Sequence, residues 1–432
     1  MRTYSKIGLF CAIGLVVVSA SCSRQQGIPS HVTLMKENER WQLLVNGKPF
    51  YIKGFVGAMH FDEAQQAGAN SVRVWMNRQD CADSALKYGF TVLMGLPVYG
   101  ERDGMNWEND SLIREQKAKV LEMVNRFKNH PSILMWVLGN ELDWIPPGKP
   151  YNIKMWKILD QMAEAIHAID PHHPVMTVIG DSYFEQKVKE IDSLCPHLDL
   201  LGINGYGALG SMCSVLQHSW GRPYVVTEWG VTGYWEVPKT SWGVPLEENS
   251  TLKARRYLER YRNIILLDTF RCLGSYVFFW QPKQETTHTW FGMFDEDGRS
   301  SEAVDVMQYL WSGLWPKNRA PRIDTLYLSS TQRFPEYLFR PGENVSATIF
   351  ASDPDGDSLR YAWEVKPEVQ QGFYAGSGEI PALPVPDVMV DSTKQQVNIR
   401  IPDISGAYRL FVYVYDSDGH FATGNIPFYV RK

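Results

Sequence analysis

The sequence predicts an α/β protein, a (β/α)8 barrel followed by a small all-β sandwich, and three observations carry that expectation. Eight short apolar runs recur between residues 51 and 280 with amphipathic stretches between them. No run is followed by a G-x-G-x-x-G turn, and beyond residue 322 the helical periodicity gives way to alternating β segments. Parallel strands with helical crossovers produce the first pattern, and eight of them in roughly 260 residues fit a closed barrel of ordinary size. An open doubly wound sheet would place a Gly-rich phosphate turn after its first strand.

Taken in order, residues 1–21 read as an export signal. Arg2 and Lys6 make a basic start, and the apolar run over residues 7–20 is too short to span a bilayer comfortably. Its end, Val18-Ser19-Ala20-Ser21-Cys22, resembles a bacterial lipoprotein cleavage box, with Ser19 where that pattern prefers an aliphatic residue. The resemblance implies that Cys22 becomes a lipidated first residue anchored to a bacterial membrane, the outer one in a Gram-negative cell. The alternative is a soluble secreted protein in which Cys22 is incidental. Residues 22–30 are a polar tether. Residues 41–52 alternate around Asn46-Gly47, the strongest short hairpin signal, so a β-hairpin opens a folded unit spanning residues 31–317.

The eight predicted strands cover residues 51–54, 71–75, 91–96, 133–138, 175–178, 200–203, 224–227 and 275–280, with helices over 111–128, 151–169, 252–267 and, last, 301–311. Turn residues over 313–321 end this unit. From 322 to 432, strands over 345–351, 359–365, 396–401, 408–415 and 426–430 predict the sandwich. The turns at Asp353-Pro354-Asp355-Gly356-Asp357 and Asp416-Ser417-Asp418-Gly419 resemble those of immunoglobulin-like modules of the cadherin or PKD kind. Asp353, Asp355, Asp357 and Glu364 match the spacing of an EF-hand loop, but Ser358 occupies the required Gly position and 359–365 alternates like a strand. Asp-Gly turn chemistry, not a metal, is therefore expected there.

Composition narrows the function. A formal net charge of −5, more negative once Arg2 and Lys6 leave, argues against nucleic acid as a partner. Cys81, Cys195, Cys213 and Cys272 show no C-x-x-C spacing, so no zinc site is predicted and buried free thiols are expected. No cofactor motif is present. The 15 Trp and 21 Tyr residues could stack on sugar faces, although most must be core.

Two strand ends carry chemistry. The run 133–138 stops abruptly in Gly139-Asn140-Glu141, and the run 224–227 stops in Glu228-Trp229-Gly230. In a barrel of this type, polar residues at the C-terminal ends of strands point into the active-site mouth. By position these are strands four and seven. Each acid follows at least four apolar residues, which an ordinary surface or helix-capping Glu would not.

These motifs resemble the retaining glycoside hydrolases of clan A, and most of all the family 2 barrel, over residues 41–315. The resemblance implies that Glu141 is the acid/base and Glu228 the nucleophile, held about 5 to 5.5 Å apart as retaining chemistry requires. It also implies a glycone site of Arg73, Asn140, Asn204, Tyr206 and Trp280, with Arg73 and Tyr206 beside the nucleophile, Asn140 on the sugar 2-hydroxyl and Trp280 as a sugar platform. No cofactor is implied, and the partner is a β-linked poly- or oligosaccharide. Lys283, Glu285, His288 and Trp290 follow strand eight in a loop expected to set specificity, and the aromatic stretch 233–243 is expected to line a cleft. Family 2 enzymes normally carry sandwiches before the barrel, whereas here a sandwich follows it. That order is similar to some bacterial β-glucanases, family 158 among them, and makes a β-glucan the expected substrate. A transglycosylase on the same barrel and a non-catalytic glycan-binding lipoprotein are the alternatives.

Overall fold

The computed structural model describes residues 28–75, 79–144, 151–369, 379–389 and 391–432. The export signal, Cys22 and most of the tether lie outside the described residues. An antiparallel sheet comes first, made of β1 (Val32–Glu37), β2 (Arg40–Val45) and the two-residue β3 (Lys48–Pro49). Asn46-Gly47 does turn β2 into β3, with φ of 52° and 74°, but the longer pairing is β1 with β2 around Asn38 and Glu39. Val32 and Leu43 join the buried cluster inside the barrel with Leu134, Met176 and Leu200. The Val32 N–H donates to the His172 carbonyl and the Trp41 N–H to the Phe270 carbonyl, just before two barrel strands begin. The sheet therefore closes the N-terminal end of the barrel and leaves the other end open.

The barrel strands are β4 (Ile52–Val56), β5 (Ser71–Trp75), β6 (Thr91–Leu96), β7 (Ile133–Asn140), β8 (Val175–Ile179), β9 (Leu200–Asn204), β10 (Tyr224–Trp229) and β11 (Cys272–Val277). All pair in parallel and close in the order β10-β11-β4-β5-β6-β7-β8-β9. Helices α1 (Phe61–Ala67), α2 (Gln79–Lys87), α3 (Asp110–Phe127), α4 (Lys154–Ile169), α5 (Phe184–Leu194), α6 (Leu209–Ser219), α7 (Ser250–Asn263) and α8 (Glu302–Ser312) supply the crossovers. Ile133 through Leu138 are wholly buried, as expected for a strand with interior on one face and helices on the other. Asn109 and Asn249 start α3 and α7 by accepting hydrogen bonds from N–H groups of the first turn.

One strand is misplaced by the sequence pattern. The eighth starts at Cys272 rather than 275, and residues 278–280 lie beyond its end. Gly274 explains the shift, because a Cβ there would lie 2.3 Å from the Ile52 carbonyl oxygen. What reads as a break is the glycine that lets β11 approach β4.

The sandwich comprises β12 (Ser300–Ser301), β13 (Arg322–Ser329), β14 (Leu338–Phe339), β15 (Asn344–Ser352), β16 (Arg360–Pro367), β17 (Gln396–Arg400), β18 (Gly406–Tyr415) and β19 (His420–Val430). One sheet runs β12-β19-β18-β16, with β14 also on β19, and the other runs β13-β15-β17. Trp363, Val365, Ile349, Ile399, Leu410 and Val412 fill the space between them. Strand β12 comes from the segment just before α8, so barrel and sandwich share a sheet. The four described cysteines are buried and form no disulfide. Among the described residues no helix is long and apolar enough to cross a membrane.

Candidate active site

Glu141 leaves β7 at a sharp turn. Gly139 has φ 75°, a region that favours glycine, and a Cβ there would lie 2.5 Å from Leu142 Cδ1. Glu141 itself has φ 47°, and its N–H donates to the Val178 carbonyl at 2.8 Å. This bend carries the side chain over the open end of the barrel. Glu228 sits one residue before the end of β10, in register with Asn204 at the end of β9.

The two acids belong to one hydrogen-bond network. The Arg73 guanidinium donates to Glu228 Oε1 at 2.7 Å, to the Thr227 carbonyl at 2.7 Å and to Asn140 Oδ1 at 2.9 Å. The Tyr206 hydroxyl donates to Glu228 Oε2 at 3.0 Å, so both carboxylate oxygens have a donor. Asn204 Nδ2 donates to Glu141 Oε1 at 2.7 Å and to Asn140 Oδ1 at 3.0 Å, while Thr227 Oγ1 donates to Asn204 Oδ1 at 2.9 Å. Asn204 is thus the link between the acids, and its orientation is fixed by Thr227.

The environments of the acids differ. Glu228 is matched against the charge of Arg73. Burial first, and the negative charge of Glu228 second, push the Glu141 carboxyl up to about 7, with Asp143 adding to the rise and Asn204 and Arg102 opposing it. Burial, reinforced by Glu228, holds the Tyr206 hydroxyl well above its ordinary value, so it stays a donor. Burial lowers the Arg73 guanidinium and Glu228 opposes that. The raised Glu141 carboxyl thus stands beside a second carboxylate that is ion-paired to Arg73.

Of the residues the sequence singles out, Arg73, Asn140, Asn204 and Tyr206 meet Glu141 and Glu228 in this network. Trp280 does not. It is fully buried, donates from its indole N–H to the His60 carbonyl at 3.1 Å, and packs against Phe55, Phe294 and Trp311. The shift of β11 places Trp280 beyond the strand and against the barrel wall, so a platform reading is corrected to a packing one. Trp290 is also buried, donating to the Thr232 carbonyl, and His288 bonds the Tyr413 hydroxyl of β18. Lys283 and Glu285 stay with the site: Lys283 Nζ lies 3.2 Å from Glu285 Oε2 and over the Phe278 ring, which packs edge-on against Tyr206.

Other residues join the site, some in stretches the sequence marked and some not. Trp75 ends β5 with 36% exposure, the Arg73 guanidinium 4.1 Å from its ring centroid. Within the 233–243 stretch, Trp235 is 44% exposed and packs edge-on against Tyr206. Arg102 donates to the Asn140 carbonyl. Buried Asp143 pairs with buried Lys187, which also donates to the Gly180 carbonyl beside Glu141. Trp75 and Trp235 carried an aromatic signal; Lys187, on a helix, carried none.

Away from the mouth, Asp353, Asp357 and Asp416 bring one carboxylate oxygen each within 4.8 Å of one another. Asp353 Oδ1 accepts from the N–H groups of Asp355 and Asp357, and Asp416 from those of Asp418 and His420 and from the His420 ring. The carboxylates thus act as turn formers.

Residues 88–235 match the family described as glycosyl hydrolases family 2, TIM barrel domain. The chain is similar to the β-glucuronidase of Sus scrofa, 29% identical over 198 residues, covering 41% of this chain and 28% of that protein. It is similar also to the β-glucuronidase of Paenibacillus borealis, 23% identical over 268 residues, covering 52% of this chain and 42% of that one. These matches span less than half the length of either relative. The fold is similar to that of the Bifidobacterium dentium β-glucuronidase complexed with coumarin-3-O-glucuronide, with TM-score 0.50, 20% identity, and coverage of 66% of this chain and 50% of that one. In sequence and in fold, then, the barrel of this chain resembles the TIM barrel domain of family 2 of the glycosyl hydrolases.

Proposed function

We propose that the chain is a retaining glycoside hydrolase that cleaves β-linked poly- or oligosaccharides through a covalent glycosyl-enzyme, with Glu228 as nucleophile and Glu141 as acid/base. The observation that carries this reading is the single Arg73–Asn204 network, which holds two strand-end acids together, Glu228 ion-paired to Arg73 and Glu141 with its carboxyl raised by burial and by Glu228. Glu228 attacks the anomeric carbon while Glu141 gives its proton to the departing oxygen. Bond formation consumes the charge of Glu228, which removes one of the two largest causes of the raised Glu141 carboxyl. Glu141 can then stay ionised, take a proton from water, and direct the hydroxide to the anomeric carbon, which restores Glu228.

A β-glucan is the substrate class we favour. Among the described residues, the cations Arg73, Lys283 and Arg102 already face Glu228, Glu285 and Asp103, which makes them poorer partners for the carboxylate of a uronate. Exposed Trp75 and Trp235 suit the apolar faces of neutral sugars. The names of the curated relatives support a second reading, a β-glucuronide. The test is a panel of β-1,2-, β-1,3-, β-1,4- and β-1,6-glucans, galactans, mannans and aryl β-glucuronides, assayed with Glu141→Gln and Glu228→Gln beside the native protein. Hydrolysis lost in both variants supports the proposal, and full turnover in either one overturns it. Products longer than the substrate would mark a transglycosylase, and binding without turnover a glycan-binding protein. We further propose that Cys22 is lipidated and anchors the protein to a bacterial membrane; mass analysis of the mature N-terminus tests this, and an unmodified Cys22 refutes it.

A further inference from the structure

The loop after β11 is caught between two parts of the molecule. On its barrel side, the Glu247 side chain is wholly buried and accepts from Thr287 Oγ1 and Thr289 Oγ1, each at 2.8 Å, and from the Lys253 ammonium. On its sandwich side, His288 bonds Tyr413 of β18, whose hydroxyl also donates to Glu364 of β16. Arg409 of β18 donates to the Pro245 carbonyl and to Glu368, and lies 3.8 Å from Glu247. At the tip, Glu379 Oε2 accepts from the Thr286 N–H at 2.7 Å and from Gln284 Nε2 at 3.3 Å. Glu379 belongs to the sandwich, between β16 and β17, and it grips the two residues that flank Glu285.

Glu285 is the residue this grip presents. It is 6% exposed, yet among the described residues its carboxylate has no partner besides the Lys283 ammonium 3.2 Å away. Lys283 lies 5.7 Å from the Phe278 ring centroid, Phe278 is 5.9 Å from the Tyr206 ring, and Tyr206 donates to Glu228. A nearly buried carboxylate with acceptor capacity to spare is costly unless a donor arrives, and sugar hydroxyls are donors.

We propose that the sandwich is a working part of the sugar site: Glu379 is a positioning residue that holds the turn 284–287 so that Glu285, paired with Lys283, accepts a hydroxyl of the sugar seated against Glu228. The inference rests on the glycosidase reading above. Glu285 and Lys283 set which sugar is accepted, and Glu379 acts only through them. Burial raises the Glu285 carboxyl, Lys283 opposes the rise, and the negative charges of Glu228 and Glu379 add smaller increments to it, in keeping with the three acids sharing one region.

The experiment uses the full chain, the best substrate of the panel and its set of monodeoxy analogues. In the native protein one deoxy position loses about ten- to a hundredfold in kcat/KM, as expected when a hydrogen bond to a charged acceptor is missing. In Glu285→Ala that penalty vanishes while the other deoxy penalties stay. In Glu379→Ala the same penalty shrinks, through KM rather than kcat, and Glu379→Gln, whose carbonyl still accepts from Thr286, restores it. Deoxy penalties unchanged in Glu379→Ala, or lost evenly at every position, overturn the inference. If the native protein hydrolyses nothing, the same comparison is made by calorimetric binding of the glycans and analogues. Binding with a Glu379-dependent deoxy penalty keeps the inference while hydrolysis falls, and absence of binding overturns both.

Discussion

Glu141→Gln should stabilise the protein, and only above a defined pH. The substitution keeps the shape of the side chain, and the Gln carbonyl can still accept from Asn204 Nδ2. What it removes is an ionised form that the fold resists. A carboxyl raised from 4.5 to about 7 disfavours ionisation by ~3 kcal/mol, at about 1.4 kcal/mol for each pH decade. In the unfolded chain Glu141 ionises near its ordinary value, and in the folded chain only near 7. As pH rises between these points the unfolded state releases its proton first, so the native protein loses stability; below about 4.5 both states are protonated and nothing is lost. Gln carries no such dependence. The stability difference between Glu141→Gln and native protein should therefore be near zero at pH 4 and grow to about 1 to 3 kcal/mol at pH 8, water in the open mouth screening part of the full value. Unfolding in urea or by heat across pH 4 to 9 measures it, as a gain of a few degrees in Tm at the alkaline end. A variant less stable than native at pH 8, or a difference that ignores pH, would refute the argument that burial and Glu228 hold this proton.

Further outcomes follow from the same network. Arg73→Met removes the cation paired with Glu228 and one of the donors to Asn140, leaving only Tyr206 on Glu228, and should lower kcat/KM by about two to three orders of magnitude, read by steady-state kinetics on the best substrate. Lys187→Met strands the buried Asp143 carboxylate and should cost ~3 kcal/mol of stability in urea unfolding, with Asp143→Leu added to it recovering most of the loss. Trp280→Phe should lower Tm, through lost packing and the lost His60 bond, while KM stays within about twofold; a large rise in KM at unchanged stability would restore the platform reading.

The open end of the barrel was legible because strand-end acids break an apolar run, a signal local in sequence. Glu141 and Glu228 each follow a wholly buried stretch, and Arg73, Asn140, Asn204 and Tyr206 sit at or near strand ends as well. Trp280 was misread because its run of aromatic residues looks like strand, and Gly274 conceals where the strand begins. Strands β12 and β14, two residues each, are too short to leave any alternation. Lys187, Glu247 and Glu379 were invisible for another reason. Lys187 meets Asp143 across 44 residues, Glu247 meets Thr287 and Thr289 across 40 and 42, and Glu379 meets Thr286 and Gln284 across 93 and 95, and an acid or lysine in a helix or loop reads as a solvated surface until the fold buries it. Charge networks that tie the sandwich to the barrel have no periodicity to betray them.

The most direct test of the account is the stereochemistry of the first product, followed by proton NMR in the seconds to minutes after mixing native protein with its best β-linked substrate. Attack by Glu228 followed by water on the same carbon predicts that the β-anomer is released first and the α-anomer grows in only by mutarotation. An α-anomer at the earliest time points would mean a single displacement by water, and would contradict the assignment of Glu228 as nucleophile.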